Sequence, residues 1–255
     1  MGACTNFDVY AGEVIGTFFL VFSVSLIRDL GDPATAPLAV FFVLTALIFA
    51  LGFVSGSQFN PAVTLSIFLS GRNLMRCHHL MKYIVSQVIG SVLGGLLSWV
   101  CVGKISTLRP GAETNMREIA TVEVVFSALL CFVTLSVATT ETQKDNHYFG
   151  LAVAAVMGAS VLIAGPITGG LLNPAAFLGL NGVNWLVSLA GLTSETFQQE
   201  LIWAACYVGL PFMGAFIAAG LFRISRPQEF GQQPLADPLQ GLITPQSQQQ
   251  TQDAQ

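Results

Sequence analysis

Charge is what this sequence has least of. Asp, Glu, Lys and Arg make up 9% of its 255 residues, against roughly 25% in an average soluble domain. The few charges are also clustered, which excludes a single soluble domain and makes a membrane protein the first reading. No basic run occurs, and a net charge of −4 with a pI near 5.2 excludes nucleic-acid partners. The five cysteines (Cys4, Cys77, Cys101, Cys131, Cys206) lie far apart, with no CxxC and no His at ligand spacing. They read as small apolar packing residues, and no metal or cofactor is expected. Asn-x-Ser/Thr is absent. No basic residue precedes the first apolar segment, which is longer than a signal-peptide core and reads as an uncleaved membrane helix.

The charges that are present mark the spans. One apolar segment covers roughly 9–27, carries only Glu13 and stops at Arg28 and Asp29. No charge occurs from Ala34 to Gly71, and a segment at 83–103 follows. The pattern then repeats: 119–140 with the single charge Glu123, a charge-free run from Asn146 to Ser194, and a last segment at 201–222. A spanning helix needs ~20 residues. Each long run therefore holds one span, a re-entrant connection and about ten further helical residues, or ~15 Å at ~1.5 Å per residue. Each half has three spans, so the second half enters the membrane from the opposite side. This is an inverted repeat, about 7–103 and 117–225, within one channel domain at 1–226. The Gln-rich remainder, 227–255, reads as a disordered cytoplasmic tail. Arg72, Arg76, Lys82, Lys144, Arg223 and Arg226 fall on one side, against Arg28, Lys104, Arg109 and Arg117 on the other. That bias favours cytoplasmic termini in a multi-pass membrane protein; whether the membrane is the plasma membrane or an internal one stays open.

Each long run contains Asn-Pro-Ala: Asn60, Pro61 and Ala62 in "SQFNPAVTLS", then Asn173, Pro174 and Ala175 in "GGLLNPAAFLG". Asn is a strong helix N-cap and Pro suits the next position. Ala leaves room for two helix starts to meet. With inverted halves the two short helices point their N-termini at each other, each carrying roughly half a positive charge. Two such ends and two side-chain amides donate to a neutral oxygen and repel cations. Glu13 and Glu123, inside full spans, are expected to accept from backbone amides of the adjacent re-entrant loop, because a bare carboxylate there is costly.

With those motifs in view, the chain resembles the aquaporin (major intrinsic protein) family over about residues 7–225. The match is carried by "SGSQFNPAVTLS", "YIVSQVIGSVLGG", "VATTET", "LLNPAA" and "YVGLPFMGA". The resemblance implies an all-α membrane fold of six spanning helices and two half-helices. It also implies one pore per subunit, a homotetramer, and passive conduction of water or small neutral solutes across a lipid bilayer without cofactor. One departure stands out. The family usually has Arg directly after the second Asn-Pro-Ala; here that position is Ala176, and no Arg or Lys lies between 145 and 222. Ungapped matching places the family's four-membered constriction at Val40, Val161, Gly170 and Ala176, where water-selective members have an aromatic, a His and an Arg. A register one or two residues on would put Phe41 or Phe42 in the ring. The expected ring is wide and apolar, admitting larger neutral solutes such as glycerol or urea. Charge exclusion then rests on the half-helix dipoles with Asn60 and Asn173. The glycerol-conducting branch usually has Asp after that Arg; Phe177 follows here, so the chain is not assigned to that branch.

Two other classes remain as alternatives: a non-conducting junctional protein on the same scaffold, and an ion-coupled secondary transporter, which would normally need an ionisable residue at its substrate site. No set of nucleophile, base and acid converges, so an enzyme is not expected. Gly90, Gly94, Gly95, Gly214 and Gly220 are expected at close helix contacts, Pro211 at a kink, and Trp99, Trp185 and Trp203 at span ends. His78, His79 and His147 read as interfacial polar residues. Thr45 and Ser55 either line the pore or bond locally.

Overall fold

The computed structural model of the protein describes residues 6–188 and 194–230; Cys4 and the tail from 231 lie outside them. Among the described residues, six helices are long and apolar enough to cross a membrane. They are α1 (Asn6–Leu30), α2 (Ala36–Ser55), α4 (Cys77–Val102), α5 (Met116–Ala138), α6 (Phe149–Thr168), and the pair α8 (Ser194–Ala204) and α9 (Leu210–Ser225), the last two joined by a π-turn. Two shorter helices, α3 (Pro61–Leu69) and α7 (Pro174–Ser188), begin at the Asn-Pro-Ala motifs. The chain is thus an all-helical membrane protein in which both long charge-free runs split into a span, a loop and a partial helix.

Local chemistry sets the helix ends. Asn115 caps α5 in a reciprocal box with Glu118, satisfying two first-turn donors. Gly56, Gly103 and Gly169 close α2, α4 and α6 in the left-handed conformation, which glycine adopts without a Cβ penalty. Pro211 does not simply kink the last span. A π-turn at Ala205–Gly209 absorbs the irregularity, and Pro211 sits in the first turn of α9, where its missing N–H costs little.

Helix pairs approach closely where glycine permits it. A Cβ on Gly90 would stand 2.3 Å from the Val14 carbonyl oxygen, and one on Gly94 2.6 Å from that of Phe18, so α4 lies on the backbone of α1. In the second half, a Cβ on Gly214 would stand 2.8 Å from the Val124 carbonyl oxygen, placing α9 on α5 the same way. Gly95 approaches Gly179 of α7. Gly220 has open space around it, so that expected contact is not made. The outer faces stay apolar: Val85, Ile89, Leu93 and Leu97 form an exposed stripe along α4, the face a lipid-embedded helix presents.

α3 has nine residues but α7 has fifteen, longer than the ten expected. Gly71 (φ 75°) and polar residues terminate the first. The second continues because the connection between the halves covers it: Asn181 accepts from the Leu108 amide at 2.8 Å and donates to the Leu108 carbonyl. Trp185 is not only a span-end residue, since its indole N–H donates to Glu200 at 2.7 Å, and Glu200 also pairs with Arg109. Residues Pro227–Phe230, assigned to the tail from sequence, form a 3-10 turn. Its buried Glu229 faces Arg72 at 3.4 Å, and the Arg72 guanidinium donates to the Thr139 carbonyl and covers the Phe222 ring. Burial pushes the Arg72 guanidinium down to about 10, with Glu229 opposing that shift.

Candidate functional site: the meeting of two half-helices

The two re-entrant loops share one backbone path. Gly56, Ser57 and Phe59 have φ values of 81°, 49° and 48°, and Gly169, Gly170 and Leu172, at matching places, have 89°, 66° and 51°. Positive φ at non-glycine residues is strained and persists only where surroundings hold it. Here the surroundings are the other half. Asn60 Oδ1 accepts from the Ala62 amide at 2.9 Å, while its Nδ2 donates to the Leu172 carbonyl at 2.9 Å. Asn173 Oδ1 accepts from the Ala175 and Ala176 amides, and its Nδ2 donates to the Phe59 carbonyl at 2.9 Å. Each asparagine thus caps its own helix and holds the residue preceding the other asparagine. A carboxamide NH2 has two hydrogens, so each retains one N–H. Pro61 and Pro174 begin their helices, and Ala62 and Ala175 are fully buried.

The supporting layers repeat as well. Tyr83 donates to the Ser55 carbonyl at 2.8 Å, and Tyr207 to the Thr168 carbonyl at 2.9 Å. The two glutamates differ. Glu13 accepts from the Gln58 and Phe59 amides at 3.0 and 2.8 Å, from Ser55 Oγ at 2.7 Å and from Gln87 Nε2 at 2.8 Å. Glu123 is just as buried, but no loop amide bonds it; the Thr168 side chain approaches its carboxyl without reaching good bonding geometry. The expectation that both accept from loop amides therefore holds for Glu13 and not for Glu123. Part of the reason is covalent: where α4 carries Gln87 one turn beyond Tyr83, α9 carries Pro211 one turn beyond Tyr207, and Pro has no donor.

The four residues matched to a constriction are placed as follows. Gly170 lies against α6: its carbonyl accepts from Ser160 Oγ at 2.6 Å, and a Cβ there would stand 3.0 Å from Val161 Cα. Val40 on α2 and Ala176 on the first turn of α7 are buried. Phe42 is exposed and points away from the interior; Phe41 packs on Gly158. Thr45 donates to the Phe41 carbonyl of its own helix, and Ser55 is committed to Glu13.

Next to the asparagines a cavity of about 40 Å³ opens, walled by Leu44, Ile48, Phe59, Phe149 and Met157 and reached by Gln58, Asn60, Thr134 and Asn173. A single water needs ~10–15 Å³ on this measure, so several fit. None of its lining residues is ionisable. Sequence reasoning passed over two polar residues here. Gln58 borders the cavity with its side-chain amide unpaired; a polar residue inside a charge-free run was the available signal. Arg28, read only as the charge that ends a span, donates to the Thr107 carbonyl, and its Nη1 stands 2.9 Å from where a Gly169 Cβ would be. Nothing in the sequence relates positions 28 and 169.

The sequence pattern of the major intrinsic protein family matches residues 3–222. The chain belongs to the major intrinsic protein family. It is similar to aquaporin NIP1-2 of Oryza sativa subsp. japonica, at 31% identity over 88% of this chain and 73% of that protein. It is similar to nodulin-26 of Glycine max at 32% over 84% and 76%, and to glycerol uptake facilitator protein-like 6 of Lactiplantibacillus plantarum at 30% over 84% and 96%. The fold matches the aquaglyceroporin of Plasmodium falciparum with a TM-score of 0.74 at 17% identity, covering 88% of this chain and 99% of that one. As a member of this family, the chain is a membrane channel for water or small solutes and not an enzyme.

Proposed function

We propose that this channel conducts water and small neutral solutes such as glycerol passively, through a wide apolar constriction formed by Val40, Val161, Gly170 and Ala176. The reciprocal bonds of Asn60 and Asn173 carry the reading, because they aim two helix N-termini and two spare N–H donors at one buried point beside a chamber with room for water. A passing oxygen accepts from those donors, while the partial positive charge of both termini opposes cations. With Ala176 in place of Arg, no charge projects from α7 into the constriction, so size rather than charge limits neutral passengers there. Arg28 supplies a cation near the loop that leads to Gly170. The same scaffold would assemble as a homotetramer with its termini in the cytoplasm.

Stopped-flow light scattering on vesicles containing the purified protein tests this reading. Shrinkage under an impermeant osmolyte should exceed that of empty vesicles, and re-swelling under inward glycerol should follow. Traces matching empty vesicles in both would favour a non-conducting scaffold protein. Solute uptake that followed an imposed ion gradient would favour a coupled transporter.

A further inference from the structure

Arg28 lies in the last turn of α1, an ordinary place for a cation at a helix end. Its guanidinium reaches further than that role requires. One N–H donates to the Thr107 carbonyl at 3.1 Å, and Nη1 stands 2.9 Å from where a Gly169 Cβ would be. Gly169 has φ 89° and no side chain, so the loop leaves the guanidinium its place. Gly170, matched to the constriction, follows directly. Consecutive Cα atoms are ~3.8 Å apart, which keeps the Gly170 Cα within about 8 Å of that nitrogen. Two basic residues of the connection between the halves are neutralised by carboxylates: Lys104 faces Asp29 at 3.5 Å, and Arg109 pairs with Glu200. Among the described residues Arg28 enters no ion pair, and it is exposed. No Arg or Lys lies between 145 and 222, so neither α6 nor α7 supplies a cation here.

We propose, on the basis of the channel reading above, that Arg28 is a specificity-determining residue: its unpaired charge turns small cations away at this mouth, ahead of the half-helix termini. Charges are screened over about 8 Å at physiological ionic strength, so the guanidinium is felt at Gly170 without projecting into the opening. Its field acts on charge and leaves water and neutral solutes of the same size alone. Cations then meet two barriers in series. The inner one is the pair of helix N-termini at Asn60 and Asn173, fixed in the backbone. The other is an exposed side chain, sensitive to salt. A cation that passes Arg28 is stopped by the helix termini and lodges between the two, where it obstructs water. Arg28 therefore protects water flux from cationic block.

The test compares guanidinium with urea, planar molecules of similar size that differ by one charge. Each is placed at equal concentration inside and outside vesicles holding the unsubstituted protein, Arg28→Gln or Arg28→Lys. Its half-blocking concentration for water flux is read by stopped flow at low ionic strength. Gln keeps an N–H for Thr107 and removes the charge; Lys keeps the charge. Arg28→Gln should lower the half-blocking concentration of guanidinium at least about fivefold and leave that of urea within about twofold. Arg28→Lys should match the unsubstituted protein. Near 1 M salt, where screening acts within ~3 Å, the unsubstituted protein should itself become as sensitive as Arg28→Gln. A guanidinium response unchanged by Arg28→Gln, or by salt, overturns the assignment. So does equal sensitisation to urea, or sensitisation by Arg28→Lys as great as by Arg28→Gln, since both mark a change of shape rather than of charge. If the unsubstituted protein moves no water above empty vesicles, the channel reading itself has failed; if it conducts and the guanidinium response stays put, only the role of Arg28 has.

Discussion

The first half of this molecule anchors its re-entrant loop more firmly than the second half does. The two loops follow the same sequence of backbone conformations, and both tyrosines, both caps and both asparagine cross-bonds recur. Yet four donors converge on Glu13, while no loop amide reaches Glu123 and only the Thr168 side chain approaches it. The comparison teaches that the shape of a re-entrant loop does not depend on the carboxylate behind it. The second loop relies instead on Ser160 holding the Gly170 carbonyl, on Gly170 N–H bonding Thr168 Oγ1 at 3.3 Å, and on Asn60 holding Leu172.

The largest expected effect separates the two glutamates. Glu13→Ala strands two backbone amides and Gln87, and should destabilise the protein by about 3–5 kcal/mol in a detergent unfolding assay. Glu123→Ala strands no backbone amide and removes only a weak approach of the Thr168 side chain, so it should cost clearly less, about 1–2 kcal/mol for the space it leaves. Equal losses would dissolve the contrast. Next come the helix crossings. Gly90→Ala and Gly214→Ala each force a methyl onto partner backbone and should cost about 1–3 kcal/mol, with Gly90 the worse because its gap is smaller. Gly220→Ala, with open space around it, should stay within about 0.5 kcal/mol. Ala176 occupies in α7 the place Val63 occupies in α3. Ala176→Arg should lower glycerol flux about tenfold, or ~1.4 kcal/mol, and water flux less. Selectivity unchanged by that substitution would remove Ala176 from the constriction. The smallest difference concerns the caps. Asn60→Ala and Asn173→Ala each lose a cap and strand a carbonyl of the other loop, so each should cost about 2–4 kcal/mol and match the other closely. The double variant should lose less than the sum, because each side chain holds the other's loop.

Much of this was legible in the residue order. Charge gaps gave the spans, because lipid excludes charge, and Asn-Pro gave two helix starts, because that pair suits an N-cap and its successor. Three spans in each half implied the inverted repeat, because an odd number makes the second half enter from the opposite side. The unequal glutamates were not legible. Whether α4 and α9 offer a donor at that depth depends on Gln87 and Pro211 facing α1 and α5, and their separation from Glu13 and Glu123 in sequence carries no hint of it. The fifteen-residue length of α7 was hidden for a similar reason, since Asn181 meets its partner Leu108 only once the connection between the halves folds over. Arg28 was seen but misjudged: a basic residue at a span end is ordinary, and only the fold brings it to Gly169.

The crossed asparagine bonds join residues 112 and 114 positions apart. During synthesis the first half is therefore inserted before its counterpart exists, with the Asn60 amide and the Phe59 carbonyl awaiting partners not yet translated. Neither half can complete its own turn. Severed between the halves and produced as two polypeptides, the protein should recover its pore only when both are made together, so that assembly of the conduit is a bimolecular event concealed within a single chain.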